Sequence, residues 1–160
     1  MLILEILVLC LIMFAICYAN TGTDAKNIRS FHAYPDEVQE YVLRDPELKG
    51  LVVQTSSLVT FGKDLLIFGV IILAAGFSVR EPSFTSNFLK LLILGQCVNV
   101  FDLVFIDLIW WRNSRRPRFM GTKEMAEMYS DPGKHIMSFI KAVILFTIIA
   151  AVDGWILTLF

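Results

Sequence analysis

Residues 58–77, LVTFGKDLLIFGVIILAAGF, decide the class of fold. No charged side chain interrupts this stretch from Leu65 onward. An α-helix needs about 20 mostly apolar residues to cross the hydrocarbon core of a bilayer. Because lipid offers no partner for unpaired backbone groups, a single apolar segment can cross it only as a helix. The stretch therefore predicts a transmembrane helix.

Three further segments have the same character: residues 1–19, 88–111 and 135–160. The first is interrupted only by Glu5. It has no basic region before it and no convincing small-residue cleavage site after it, so we interpret it as a retained helix and not as a signal peptide. Hydrophobic residues make up 56% of the chain and are concentrated in these runs. The sequence predicts an all-α integral membrane protein, one domain over residues 1–160, formed by a bundle of four transmembrane helices.

The first loop, residues 20–57, is predicted to carry a short amphipathic helix. Pro35 begins this helix, because proline fits the first turn, and Pro46 ends it. Its apolar side chains recur at helical spacing: Val38, Tyr41 and Val42. Such a helix is expected to lie on the membrane surface or to dock on the bundle.

The third loop, residues 112–134, is predicted to carry a second short helix. Thr122 is suited to cap a helix over residues 123–129. Asp131 and Pro132 then combine an N-cap residue with a proline in the first turn, which predicts the start of the last span.

The distribution of basic residues predicts the orientation of the chain. The third loop and the start of the last span contain Arg112, Arg115, Arg116, Arg118, Lys123 and Lys134. The first loop contains Lys26, Arg29, Arg44 and Lys49, whereas the second contains Arg80 with Lys90 just inside the next helix. Cytoplasmic loops carry the excess of Lys and Arg. The first and third loops are therefore expected in the cytoplasm and both termini outside the cell membrane.

Polar side chains within the spans form a candidate cluster, because ionisable groups at membrane depth are costly and often functional. Its members are Gln96, Asn99, Asp102, Asp107 and Lys141. At about 1.5 Å per residue, Lys141 falls between the depths of Asp102 and Asp107, so we predict that it pairs with one of them. The cluster then fixes helix register as a buried network, or it lines a cavity open to the cytoplasmic leaflet. A third interpretation is a proton or ion path through the aspartates together with Glu5 and Asp153.

A second candidate set lies at the mouth of this cluster and is suited to a phosphate headgroup: Trp110, Arg112, Arg115, Arg116 and His135. Arginine binds phosphate through paired hydrogen bonds, and basic clusters next to a span favour anionic lipid. The alternative interpretation is that these arginines only anchor the helix end at the membrane surface.

The remaining patterns exclude several classes of protein. With a net charge of −1, the chain lacks the basic character typical of proteins that bind nucleic acid. Cys10, Cys17 and Cys97 show no CxxC spacing, which argues against a metal site or a disulfide framework. We find no P-loop, GxSxG or HExxH motif, and predict no cofactor and no metal site.

The favoured function is non-enzymatic: a small multi-pass protein that binds membrane lipids or a membrane partner, which includes a second copy of itself. An enzyme acting on a lipid or isoprenoid substrate at the cytoplasmic interface comes second. An oligomeric transporter or channel comes third, because four helices are few for an internal pathway.

Overall fold

A computed structural model describes residues 1–160 and is entirely helical, without strands. Seven α-helices follow one another along the chain: α1 Leu2–Ala19, α2 Asp24–Asn27, α3 Asp36–Arg44, α4 Pro46–Leu51, α5 Ser57–Gly76, α6 Phe84–Phe101 and α7 Gly133–Ile156. Shorter 3₁₀ segments are Ile28–Ala33, Met120–Thr122, Ala126–Tyr129 and Leu157–Leu159. Four helices are long and apolar enough to cross a membrane, which confirms the predicted number and class of long helices.

The third long helix changes its geometry midway. After α6, the segment Asp102–Trp111 continues as a π-helix. A π-helix forms i→i+5 hydrogen bonds, is rare, and occurs frequently at functional sites. The spacing of about 100° per residue that holds in an α-helix therefore does not apply over this segment. Residues five apart, such as Asp102 and Asp107, come to lie on consecutive turns instead.

The chain forms two compact units. Unit 1 comprises residues 1–11, 55–100 and 140–160, and unit 2 comprises residues 12–54 and 101–139. Three of the long helices, α1, α6 with its π-helix, and α7, contribute residues to both units. Whether they form one membrane domain stays a prediction.

Unit 1 has an aliphatic core built on close helix contacts. Its buried members are Ile72, Leu91, Leu94, Leu145, Phe146, Ile149, Ala150 and Leu157. Ala150 and Gly154, which form a small-xxx-small pair, are both buried. A Cβ on Gly154 would lie 3.0 Å from the backbone nitrogen of Phe88, so α6 and α7 approach each other closely here.

Unit 2 has an aromatic core assembled mainly from the two polar loops. Its buried members are Ile28, Phe31, Tyr34, Val38, Val42, Leu48, Trp111, Phe119 and Tyr129. The predicted amphipathic helix is confirmed as α3, with Val38 and Val42 fully buried. Its apolar stripe contributes to this core.

Hydrogen bonds from side chains to distant backbone atoms tie the two loops of unit 2 together. Asn27 Nδ2 donates to the carbonyl oxygens of Arg116 and Arg118, at 3.2 and 3.3 Å. The Tyr34 hydroxyl donates to the carbonyl oxygen of Pro117, at 2.6 Å. The segment 116–118 is therefore held by the first loop along its length.

Two helix boundaries differ from the prediction. Pro46 begins α4 instead of only ending α3, because the Asp45 carboxylate accepts hydrogen bonds from the N–H groups of Glu47 and Leu48 and caps a new helix. Thr122 does not cap a helix over residues 123–129: it lies in a 3₁₀ turn. Its hydroxyl is 2.6 Å from that of Tyr129 and 3.2 Å from the carbonyl oxygen of Phe119. The hydroxyl is thus used in the core of unit 2 and does not cap a helix.

Candidate functional site

The centre of the candidate site is a carboxylate–imidazole pair in unit 2. Asp107 Oδ2 of the π-helix lies 3.0 Å from His135 Nδ1 in the first turn of α7. Both side chains are largely buried, with exposed fractions of 16% and 8%. His135 Nε2 is also buried and has no hydrogen-bond partner. A buried nitrogen without a partner is uncommon, because it costs about 1–3 kcal/mol.

Two contacts of neighbouring residues and one ring contact of its own position His135. The Asp131 carboxylate accepts a hydrogen bond from the Gly133 N–H at 2.9 Å and fixes the start of α7. The neighbouring Lys134 pairs with Asp36 of α3 at 2.8 Å. The ring of His135 meets the Trp111 ring edge-on, with centroids 4.8 Å apart.

Asp102 is the second carboxylate of the site. It lies close enough to Asp107 and His135 to interact electrostatically with both, and the Cys17 thiol of α1 is within range of both carboxylates. Asp102 is half-buried and takes part in no hydrogen bond or ion pair. Three elements therefore supply ionisable groups to this region: α1, the π-helix and α7.

The predicted pairing of Lys141 with Asp102 or Asp107 stays a prediction, because Lys141 belongs to unit 1 and both aspartates belong to unit 2. Asp107 pairs with His135, and Lys141 is exposed and belongs to none of the ion pairs. The prediction used only the depth of Lys141 along its helix and left out its direction around that helix. Lys141 follows His135 by six residues, which places it about 120° away around an α-helix.

The amides of the predicted cluster lie in unit 1. Gln96 Nε2 donates to the carbonyl oxygen of Val143 at 3.1 Å and so joins α6 to α7. Asn99 is buried, and its Nδ2 lies 3.4 Å from Gln96 Oε1. The Gln96 amide therefore connects two helices, as side-chain hydrogen bonds commonly do in membrane proteins.

Arg116 and Arg118 serve unit 2 internally. Arg116 donates to the carbonyl oxygen of Tyr18 at 3.1 Å, and its guanidinium lies 3.8 Å from the centroid of the Tyr18 ring. Arg118 is buried and donates to the carbonyl oxygens of Lys123 and Arg112 at 2.9 and 3.3 Å. It thereby satisfies a carbonyl at the end of the third long helix.

The other members of the predicted headgroup set lie at the end of the same helix. Arg115 pairs with Glu124 at 2.7 Å, and both side chains are largely exposed. Trp110 packs edge-on against Phe14 of α1. Arg112 is exposed, and its guanidinium forms no hydrogen bond or ion pair. The structure therefore leaves one arginine of the set, Arg112, without an internal partner.

The Asp107–His135 pair was missed by the sequence analysis, which assigned its two members to different sets. One signal was present: Asp107 stands near the end of the third span and His135 at the start of the last, so two antiparallel spans would bring both to the same predicted side of the membrane. A second missed residue is Asn27, which the sequence shows only as a polar loop residue. No group of three or more His, Cys, Asp or Glu side chains is arranged to hold a metal ion.

Tyr34 is the titratable group most enclosed by the core of unit 2. Burial raises the pKa of its hydroxyl well above the usual value, and the nearby hydroxyl of Tyr129 adds to the effect. Tyr34 therefore stays protonated and keeps donating to Pro117 in any physiological medium.

Comparison with known proteins gives no relative: no family model, no curated protein and no solved structure matches the chain.

Proposed function

We propose that the chain is a non-enzymatic, multi-pass membrane protein that binds anionic phospholipid headgroups where the third long helix leaves the membrane. The observation that carries this proposal is Arg112, whose exposed guanidinium has no internal partner and directly follows Trp110 and Trp111. Tryptophan side chains favour the membrane–water interface, and a basic residue there attracts anionic lipid.

The internal use of the other charged groups supports a binding role over catalysis. Arg116 and Arg118 hold backbone carbonyls, and Asp107 holds His135. Arg115, three residues further along the chain, adds a second exposed guanidinium, and its partner Glu124 is itself exposed. An exposed ion pair is worth little, so phosphate can replace Glu124 at small cost.

The same proposal includes the cell membrane as location, with the first and third loops in the cytoplasm and both termini outside. The excess of Lys and Arg in those two loops supports it. Single-cysteine variants in a cysteine-free background test this orientation. Met120→Cys is expected to be labelled by a membrane-impermeant maleimide only after the cells are opened, and labelling in intact cells contradicts the orientation.

The lipid site is tested by native mass spectrometry of the protein transferred from nanodiscs that contain phosphatidylglycerol and phosphatidylcholine. Arg112→Gln is expected to weaken retention of phosphatidylglycerol about fivefold, because each basic residue near an anionic surface contributes about 1 kcal/mol. Arg44→Gln is the matched control. It removes the same charge from an exposed side chain of unit 2 that pairs with Glu40 on α3.

Retention of phosphatidylcholine is expected to be the same in all three proteins. Equal loss of phosphatidylglycerol in Arg112→Gln and Arg44→Gln would mean that only overall charge matters and would contradict a site at Arg112. Unchanged retention in Arg112→Gln would contradict it as well.

A further inference from the structure

The end of the first loop exposes two large apolar side chains. Leu51, the last residue of α4, is 51% exposed, and Val53 is 75% exposed. Their neighbours are directed the other way: Leu48 is buried in the core of unit 2, and Val52 packs against the same core. These inward contacts attach the segment to unit 2 and leave Leu51 and Val53 directed outward.

The position of this pair in the chain distinguishes it from ordinary exposed apolar residues, which are common and need no explanation when they occur singly. Val53 precedes Ser57, the first residue of α5, by four residues, which cover at most about 14 Å when fully extended. The helix α5 is long and apolar enough to cross a membrane. The covalent chain therefore keeps Val53 close to the point where α5 enters the bilayer.

The backbone of the segment limits the depth that it can reach. Residues 52–56 form neither helix nor strand, and the N–H groups of Val53, Gln54 and Thr55 donate no hydrogen bond to the protein. Such groups are excluded from hydrocarbon, but water and lipid headgroups can satisfy them. The segment therefore fits the interfacial layer, with its backbone among the headgroups and its apolar side chains directed to the acyl chains.

The rest of the first loop offers no better membrane contact. The apolar stripe of α3 is already used, because Val38 and Val42 are fully buried. Next to the exposed pair, Glu47 and Lys49 are both exposed and carry opposite charges. The contact is therefore apolar and does not require an anionic lipid, unlike the proposed site at Arg112.

We propose that Leu51 and Val53 insert into the interfacial layer of the bilayer and anchor the end of the first loop there. The partner of this surface is the lipid itself. Aliphatic side chains gain free energy when they leave water, and apolar faces bind membrane interfaces in this way. The proposal rests on the membrane location within the proposed function and is independent of headgroup binding at Arg112.

A fluorophore attached at Val53 tests the anchor. Val53→Cys in a cysteine-free background is labelled with the environment-sensitive dye NBD and placed in nanodiscs of phosphatidylcholine. We expect the dye to lose most of its emission when the nanodisc contains doxyl-labelled phosphatidylcholine. Iodide in the water is expected to have little effect on it.

Two further labelled positions separate the causes of failure. Leu66→Cys, an exposed residue within the apolar run of α5, is expected to be quenched by doxyl lipid. Glu37→Cys, exposed in the first turn of α3, is expected to be quenched by iodide alone. If doxyl lipid quenches Leu66 but not Val53, the anchor is wrong although α5 lies in the bilayer. If it quenches neither, the membrane location itself is wrong, and the proposed function fails with it.

Two other results would overturn the proposal. A dye at Val53 that neither quencher reaches would show that a second copy or another protein covers the residue. Replacing phosphatidylcholine with phosphatidylglycerol is expected to leave the quenching at Val53 unchanged. Quenching that occurs only in phosphatidylglycerol would show that charge holds the loop at the membrane and that apolar insertion does not.

Discussion

Unit 1 and unit 2 are stabilised by different means although they share three of the long helices. The core of unit 1 is aliphatic, and a contact without room for a side chain joins α6 to α7 at Gly154. The core of unit 2 contains five buried aromatic residues: Phe31, Tyr34, Trp111, Phe119 and Tyr129. Side chains of unit 2 also bond to backbone atoms far along the chain.

The difference follows from the sequence segments that build each unit. Unit 1 consists mainly of apolar helix, in which every backbone group is satisfied within the helix, so packing density decides its stability. Unit 2 includes two long loops whose buried backbone groups have no such partners. Side chains such as Asn27 and Arg118 must supply them. Substitutions that change volume should therefore affect unit 1, and those that remove hydrogen bonds should affect unit 2.

The largest effect is expected for Asn27→Leu in unit 2. Its amide serves three backbone groups: it accepts from the Gly22 N–H and donates to the carbonyl oxygens of Arg116 and Arg118. Leaving these groups unpaired is expected to lower the free energy of unfolding by about 3 kcal/mol. Urea unfolding in detergent micelles measures this. Asn113→Leu, an exposed asparagine with one local bond to Ile109, is the control.

An Asn27→Leu protein as stable as Asn113→Leu would mean that the loops of unit 2 are held by packing alone, and the contrast between the units would then fail.

A smaller effect is expected for Gly154→Ala in unit 1. The added methyl group would lie 3.0 Å from the backbone nitrogen and 3.2 Å from the Cα of Phe88, and backbone atoms cannot move aside as a side chain can. We expect the free energy of unfolding to fall by about 2 kcal/mol, the usual cost of overpacking. Thermal unfolding followed by circular dichroism measures the change.

Gly69→Ala is the matched control in α5, because no atom lies within 4 Å of the added Cβ. It is expected to be neutral or to stabilise the helix by up to about 1 kcal/mol, since alanine favours helix over glycine. Equal destabilisation by both substitutions would show that the close contact at Phe88 is not what matters.

The smallest effect is expected for Tyr34→Phe, which removes only the bond to Pro117 and lowers the free energy of unfolding by about 1 kcal/mol at neutral pH. The effect specific to this substitution is a change in how the free energy of unfolding depends on pH in the alkaline range. Burial raises the pKa of Tyr34 in the folded protein, whereas an exposed tyrosine in the unfolded chain loses its proton near pH 10. Above that pH the folded state binds more protons than the unfolded state, so stability falls as pH rises.

Tyr34→Phe is therefore expected to show a shallower loss of stability between pH 9.5 and 11 than the parent. Parallel curves for the parent and Tyr34→Phe would show that Tyr34 does not contribute to the alkaline loss.

Much of the architecture follows from sequence periodicity. The four long helices, the amphipathic helix α3 and the packing of Ala150 and Gly154 were all predictable, because each depends on residues close together along the chain. The start of α4 at Pro46 was missed although its signal is local: Asp45 precedes a proline in the first turn, which is a helix start as well as a helix end.

The candidate site was predictable only in part. The chain itself shows that ionisable groups stand at membrane depth near the ends of the third and last long helices. Their pairing depends on direction around each helix, and the π-helix over Asp102–Trp111 alters that direction. The structure pairs Asp107 with His135.

The stretch 58–77 and its three counterparts thus determined, without tertiary information, that the chain forms four long apolar helices, because an apolar run of that length has no other way to satisfy its backbone. The tertiary structure alone decided which charges meet and which remain free. It directs Arg116 and Arg118 inward to carbonyl groups and leaves Arg112 exposed. Those choices depend on helix rotation and loop packing, which join residues far apart in the sequence.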